Sequence, residues 1–238
     1  MRRQPNPREQ AIVQDVHRFR ELTSSQVLRL HFELTLDGRP SKESGRQSNL
    51  SRTMARLHDQ QRLGRLDRAI GGHFRGSDGY TYVKPASTAR QPTPHTHDIA
   101  ELYVQLMQAQ RAGLISSLTY QPEAWAYEEV SGVQLKPDAF ISFIRAGKTN
   151  PRTYFLEVDR SSEEAADLRV KMRRYVKAAD NFLRDANETG KPARFPVSLW
   201  TVQTPNRLQE LEREAAKLAR PNLFRVELFE RAVGVIIS

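Results

Sequence analysis

Two short runs carry the residues with chemistry in them: Leu135-Lys136-Pro137-Asp138-Ala139 and Tyr154-Phe155-Leu156-Glu157-Val158-Asp159. Each sets a carboxylate beside an apolar, strand-like stretch. About twenty residues separate Asp138 from Glu157, enough for a hairpin connection. Two carboxylates at the ends of adjacent strands can grip a divalent cation beside a phosphodiester. Such a metal polarises the phosphoryl oxygen and lowers the pKa of an attacking water. Mg²⁺ (or Mn²⁺) suits the pair, because it takes oxygen ligands and usually only one or two carboxylates. Asp138 and Glu157 are therefore the candidate ligands, with the backbone carbonyl of Val158 as a third.

One position departs from that pattern. Such a site usually has a lysine two residues after the glutamate, to stabilise charge near the attacking water. This chain has Asp159 there. Three arrangements would keep the chemistry. Lys171 reaches back from a following helix, or Lys136 points into the site, or Asp159 is itself a ligand, since strand alternation puts it on the face of Glu157. In a fourth, only the scaffold remains. Glu101 is a further acid, though Asp98-x-x-Glu101 also reads as a helix cap. Of Glu128 and Glu129, strand alternation lets only one face inward. His95, His97 and Asp98 sit at a frayed helix start and read as structural. No Gly-x-x-x-x-Gly-Lys-Ser/Thr loop occurs, so no nucleotide cofactor is expected.

The whole chain bounds these readings. Its 238 residues suit one large domain or two small ones. There is no cysteine, which excludes disulfides, thiolate metal sites and a cysteine nucleophile. No apolar run approaches a membrane span, and residues 1–10 have no signal-like apolar region, so a cytoplasmic protein is expected. The formal charge is +9, unevenly spread. Residues 1–90 hold 17 Lys+Arg against 9 Asp+Glu, while residues 91–238 hold 20 against 19. A basic first third is an electrostatic footprint for nucleic acid.

The expected division follows from the proline-rich stretch Lys84 to Thr96: a first domain over 8–85, a linker over 86–96 and a second domain over 97–238. The first third predicts three helices and a hairpin. Ala11 to Phe19 has helical spacing, and Thr23-Ser24-Ser25-Gln26 is a capping box that starts a second helix. A third helix is expected from about Ser48 to Gln60, burying Leu50, Met54 and Leu57 and presenting Asn49, Arg52, Thr53 and Arg56. Strands at Leu63 to Leu66 and Tyr80 to Val83 flank a Gly-rich tip with His73 and Arg75. That order predicts a winged helix-turn-helix, with the third helix in the major groove of double-stranded DNA and Arg75 on phosphate. Pairing as a homodimer is common for such readers.

The second part predicts helices at His97–Gln110, Glu163–Leu183 and Pro205–Ala219. Strands are expected at Trp125–Val130, Ala139–Ile144, Arg152–Val158, Val197–Val202 and Phe224–Phe229. This is an α/β (α+β) pattern, a mixed sheet flanked by helices. Lys136-Pro137-Asp138-Ala139, Phe155-Leu156-Glu157-Val158-Asp159-Arg160 and Lys171-x-x-x-Tyr175 together resemble the replication-relaxation family of bacterial plasmids and mobile elements. The Leu22-Thr23-x-x-Gln26 helix start fits as well. The resemblance implies a winged helix followed by a restriction-endonuclease-like domain of the PD-(D/E)xK type. It also implies that Lys171 and Tyr175, one helical turn apart, approach the DNA backbone. Two functions stand side by side. One is a metal-dependent DNA nicking or cleaving enzyme. The other is an inactive DNA-binding regulator that keeps a nuclease-like domain for dimerisation or DNA contact.

Overall fold

The computed structural model describes residues 4–35, 37–66, 79–87, 91–161, 164–190 and 194–238. His73, Arg75, Ser162 and Glu163 lie outside them. The chain forms two compact units, Met1–Gln108 and Ala109–Ser238.

The first unit begins with α1 (Pro7–Phe19), which starts earlier than its apolar spacing indicates. The cause is a second capping box: the Asn6 side chain accepts from the Glu9 N–H, and Glu9 accepts from the Asn6 N–H. Pro7 fits at the first helical position because its missing N–H has no helical partner anyway. A short strand β1 (Glu21–Thr23) follows, then α2 (Ser24–His31) behind the expected Thr23/Gln26 box. Helix α3 (Glu43–Asp59) buries Leu50, Met54 and Leu57, as their spacing predicts. It starts five residues before the expected Ser48, in a polar stretch that apolar periodicity does not register. Strands β2 (Gly64–Leu66) and β3 (Thr81–Val83) pair antiparallel, and β1 adds to the other edge of β3. Most of α4 (Pro94–Arg111) belongs to this unit. Its Glu101 takes the Arg29 guanidinium at 2.7 Å, and Gln26 donates to the His97 carbonyl at 2.8 Å.

The second unit is a five-stranded mixed sheet with helices. Strand β4 (Ile115–Pro122) leads through a 3-10 turn at Glu123–Trp125 into a hairpin, β5 (Glu128–Val130) and β6 (Val133–Leu135). The strand expected at Trp125–Val130 is thus this turn and hairpin arm, which pairs only with β6 and not with the main sheet. Strands β7 (Ala139–Arg145) and β8 (Arg152–Asp159) complete an antiparallel meander with β4. Helix α5 (Ala165–Thr189) crosses over, and β9 (Val197–Val202) adds parallel to β8. Helix α6 (Pro205–Ala216) leads to β10 (Phe224–Leu228), parallel to β9, and α7 (Phe229–Ile237) ends the chain. The sheet order is β10-β9-β8-β7-β4.

Strand β8 is the middle of that sheet, and its residues from Tyr154 to Asp159 are all buried. A central strand covered on both faces reads as a near-continuous apolar run, and Tyr-Phe-Leu-x-Val does so here. Its two acids, Glu157 and Asp159, are therefore carried into the interior by the same burial that makes the strand. The core beside them gathers Phe155, Met172, Tyr175, Trp200 and Leu211. Phe155 centres an aromatic group, with ring centroids 5.9 Å from Tyr175 and 5.7 Å from Phe195.

Candidate active site

Asp138 stands at the mouth of β7, where the ladder with β8 runs out. Its N–H donates to the Leu156 carbonyl at 2.9 Å. The ladder closes at Ala139↔Leu156, so the next inward N–H of β8, on Val158, finds no β7 carbonyl. The Asp138 carboxylate takes it, with Oδ2 2.7 Å from that nitrogen. The acid is thereby oriented by the backbone of the residue next to Glu157.

Glu157 is 1 % exposed, and each of its oxygens is engaged. Tyr175 donates its hydroxyl to Oε1 at 2.5 Å, and the Lys171 ammonium lies 2.6 Å from Oε2. Lys171 and Tyr175 share one face of α5 through their i, i+4 spacing, and that face lies on β8. Burial raises the Glu157 pKa to about 8, helped by the negative charge of Asp138 and opposed by Lys171 and Tyr175. Burial, then the Glu157 charge, hold the Tyr175 hydroxyl well above the usual phenol range. Tyr175 itself is 1 % exposed and packs against Phe155, so its hydroxyl serves Glu157 from inside the core.

Asp159 is committed elsewhere. Its Oδ2 accepts from the Arg207 guanidinium of α6, and its Oδ1 accepts from the Ser161 N–H at 2.8 Å. Arg207 also reaches Glu210, at 2.8 Å. The acid that stands in the usual lysine position is thus half of a buried ion pair, while a lysine from α5 meets Glu157. Glu128 and Glu129 are both exposed on β5. Glu101 is bound to Arg29.

A cleft of about 440 Å³ opens over Glu157. Four cations line it: Lys136 before Pro137-Asp138, and Lys171, Arg174 and Lys177 of α5. Arg174 and Lys177 were not singled out by the sequence, although they continue from Lys171 at i+3 intervals. Arg207, 48 residues from Asp159 along the chain, leaves no local signal that could have found it.

Of the α3 residues expected on DNA, Asn49 and Arg52 are exposed and bonded to each other at 2.8 Å. Thr53 is buried at 9 % exposure. Arg56 is held by Glu9, with Nε 2.7 Å from Oε1 of an acid that is 3 % exposed. Removing one partner from a buried polar pair costs ~1–3 kcal/mol. Arg56→Ala is accordingly expected to lower stability by about that amount, read from urea unfolding, and Arg52→Ala to leave it nearly unchanged.

Among the described residues there is no cluster of three or more His, Cys, Asp or Glu side chains able to hold a metal ion. No helix of the described residues is long and apolar enough to cross a membrane. Residues 84–191 match the model of the replication-relaxation family. That segment is a little under half of the chain. It holds Asp138, Glu157, Asp159, Lys171 and Tyr175, and it ends before Arg207. No curated protein and no solved structure matches the chain.

Proposed function

From the premise that this chain carries a replication-relaxation domain, which suggests a role in plasmid or mobile-element replication or relaxation, we propose that it binds double-stranded DNA and cuts or nicks it at the Asp138–Glu157 cleft. The carrying observation is Lys171. The lysine missing from position 159 is replaced in space by one that reaches Glu157 at 2.6 Å, beside the oriented Asp138 and under a rim of cations. An acid pair, a lysine and a basic rim are what phosphodiester hydrolysis asks of a protein.

The sheet supports a nuclease-like domain. An antiparallel meander of β4, β7 and β8, a crossover helix and a parallel β9 place both acids at one end of adjacent strands. The first unit, with its α1-β1-α2-α3-β2-β3 order, supports a winged-helix reading in which exposed Asn49 and Arg52 face the groove. The basic balance of residues 1–90 adds a salt-sensitive attraction for phosphate.

The oxygen donors of Asp138, Glu157 and the Val158 carbonyl suit Mg²⁺ or Mn²⁺, which accept two carboxylates and keep several waters. Bound there, the cation would polarise the scissile phosphate and acidify its water. The protein's own share is separate. Val158 N–H fixes the Asp138 carboxylate, Tyr175 fixes one oxygen of Glu157, and Lys171 holds a positive charge where a phosphate oxygen would enter.

A pH signature follows from Glu157. A divalent cation needs the carboxylate ionised, and below about 8 that means displacing a proton. Mn²⁺ affinity is expected to climb about tenfold per pH unit from 6 to 8 and then level off, as read by calorimetry. Glu157→Gln should abolish the climb, and Asp138→Asn should weaken Mn²⁺ binding at every pH. The function itself is tested with supercoiled plasmid and Mg²⁺ or Mn²⁺. Wild type should nick or linearise it, while Asp138→Asn and Lys171→Ala, checked for folding, should lose at least a hundredfold. Equal residual cutting by all three would mean contamination. Salt-dependent binding without metal-dependent cutting would favour the inactive regulator, for which the occupation of both Glu157 oxygens by Lys171 and Tyr175 speaks.

A further inference from the structure

Two large aromatic side chains stand out of the second unit beside the cleft. Trp125 is 62 % exposed and Tyr127 46 % exposed. Both belong to the short segment that joins β4 to the β5–β6 hairpin. The segment is pinned at both ends of its turn: the Glu123 N–H donates to the Asp138 carbonyl at 2.6 Å, and the Ala126 N–H donates to the Glu123 carbonyl at 2.7 Å. Ala126 is buried at 3 % exposure and anchors the loop between the two aromatics. The hairpin beyond it is tied to α5 through Asn181, which donates to the Ser131 carbonyl at 2.9 Å. Tyr127 carries the Lys136 ammonium over its ring, 5.8 Å from the centroid, and Lys136 is one of the cations lining the cleft.

Exposed tryptophan and tyrosine on a braced loop, with no hydrophobic function inside the fold, need a partner that uses a flat apolar face. The charge around them selects which partner. Lys136, Lys171, Arg174 and Lys177 line the adjoining cleft, and a polyanion fits that rim where an apolar protein surface would leave four cations facing it. Single-stranded nucleic acid combines both requirements, because its phosphates follow basic grooves while its bases stack on aromatic side chains. Duplex DNA keeps its bases stacked internally and offers nothing to Trp125.

We propose that Trp125 and Tyr127 form a stacking platform for unpaired bases, so that the strand entering the cleft is single-stranded or locally melted DNA. This rests on the reading of the cleft as a DNA site and narrows it to a substrate class. The platform lies next to Asp138 through the Glu123–Asp138 bond, so a base held there sets the phosphate beside it near the acid pair.

The chain has 2 tryptophans, and Trp200 is 1 % exposed, which makes Trp125 the accessible reporter. The full-length protein is titrated with oligothymidylate and with a duplex of the same length, affinities being read from the anisotropy of a fluorescein on the DNA so that variants lacking Trp125 are measured alike. Oligothymidylate is expected to quench the tryptophan emission, and Trp125→Phe should keep the affinity within about threefold because a ring remains to stack. Trp125→Ala with Tyr127→Ala should weaken oligothymidylate binding at least ~tenfold and leave duplex binding within twofold. Unchanged oligothymidylate affinity in the double variant would overturn the platform while leaving the cleft reading intact, provided Lys171→Ala with Arg174→Ala still weakens it. If neither pair of changes affects DNA, both readings fall. A change of sedimentation coefficient in the double variant without DNA would instead make the aromatics a contact between copies of this chain, and would also overturn the platform.

Discussion

Replacing Asp159 with lysine is expected to unfold the protein rather than complete a conventional nuclease motif. Asp159 is 5 % exposed and Arg207 8 %, and their side chains meet inside the second unit. The aspartate accepts a second bond from the Ser161 N–H, so both its oxygens are used. A lysine there would set one buried cation against another, and the Glu210 carboxylate beside Arg207 is 38 % exposed at its side chain. Breaking a buried ion pair by removing one partner costs ~3–5 kcal/mol, and the repulsion adds to it. A domain of this size has about 5–15 kcal/mol in total. Asp159→Lys should therefore show a collapsed or absent urea transition, and Asp159→Ala a midpoint lowered by several kcal/mol in free energy. Asp159→Leu combined with Arg207→Met should recover most of the loss, because an apolar pair of similar volume replaces the ions without stranding either. That double variant should also retain whatever metal-dependent cutting the wild type has. An Asp159→Lys protein as stable as wild type would return Asp159 to the site.

Position 159 also shows where the sequence stops being legible. Strand alternation puts Asp159 on the face of Glu157, and on β8 both acids are buried, as is Val158 between them. Which partner each acid would find depends on helices that arrive later in the chain. Lys171 was within reach of inference, because α5 follows β8 directly and its i, i+4 pair with Tyr175 marks one face. Arg207 lies beyond another strand and helix, and nothing in its local spacing distinguishes it from other helical arginines. The same limit governs the strands. Val197–Val202 is a mostly apolar run, interrupted by the small hydroxyl residues Ser198 and Thr201, and forms β9 at those bounds. Ile115–Pro122 forms β4, but its pairing with β7 shifts register between Ser116 and Thr119, and Ser117 adopts φ 53°. A bulge breaks the two-residue period that identifies a strand. Trp125-Ala126-Tyr127 has strand-like composition, yet Pro122 and the turn at Glu123 take it out of the sheet. The aromatics that composition assigns to a strand thereby become surface. At the C-terminus, Val233-Gly234-Val235-Ile236-Ile237 would read as a strand, and Gly234 lowers any helical expectation. It is helical as α7, with Ala232, Val233 and Ile236 buried.

The buried carboxylate of Glu157 should make the protein's stability fall as pH rises, the reverse of an ordinary surface acid. Its folded pKa, about 8, lies above the ordinary value of 4.5 that it has in an exposed chain. Below 4.5 both folded and unfolded chains hold the proton, and the group contributes its full stabilising share. Between 4.5 and about 8 the unfolded chain has lost the proton and the folded one keeps it, so folding takes up a proton and each rise in pH opposes it. Above about 8 the share is gone. Each pKa unit corresponds to ~1.4 kcal/mol, which puts the loss at a few kcal/mol. The fall has a structural cause: ionisation adds a second negative charge beside Asp138, in a buried place where Lys171 and the Tyr175 hydroxyl offset it in part. Chemical unfolding of wild type and Glu157→Gln across pH 5 to 9 separates this group from the rest. The glutamine keeps an acceptor for Tyr175 but cannot titrate, so the difference in stability between the two proteins should move by a few kcal/mol in favour of the variant as pH rises to 9. A difference that stays flat would mean that Glu157 is ionised throughout, held so by Lys171. Saturating Mn²⁺ offers the complementary arm. A cation that binds only the ionised site stabilises the fold most where the proton has already left, so its protective shift should be small at pH 6 and large at pH 8.5. The same residue would then lower stability as an apo acid and raise it as a ligand, which is the behaviour expected of a carboxylate placed for metal binding rather than for packing.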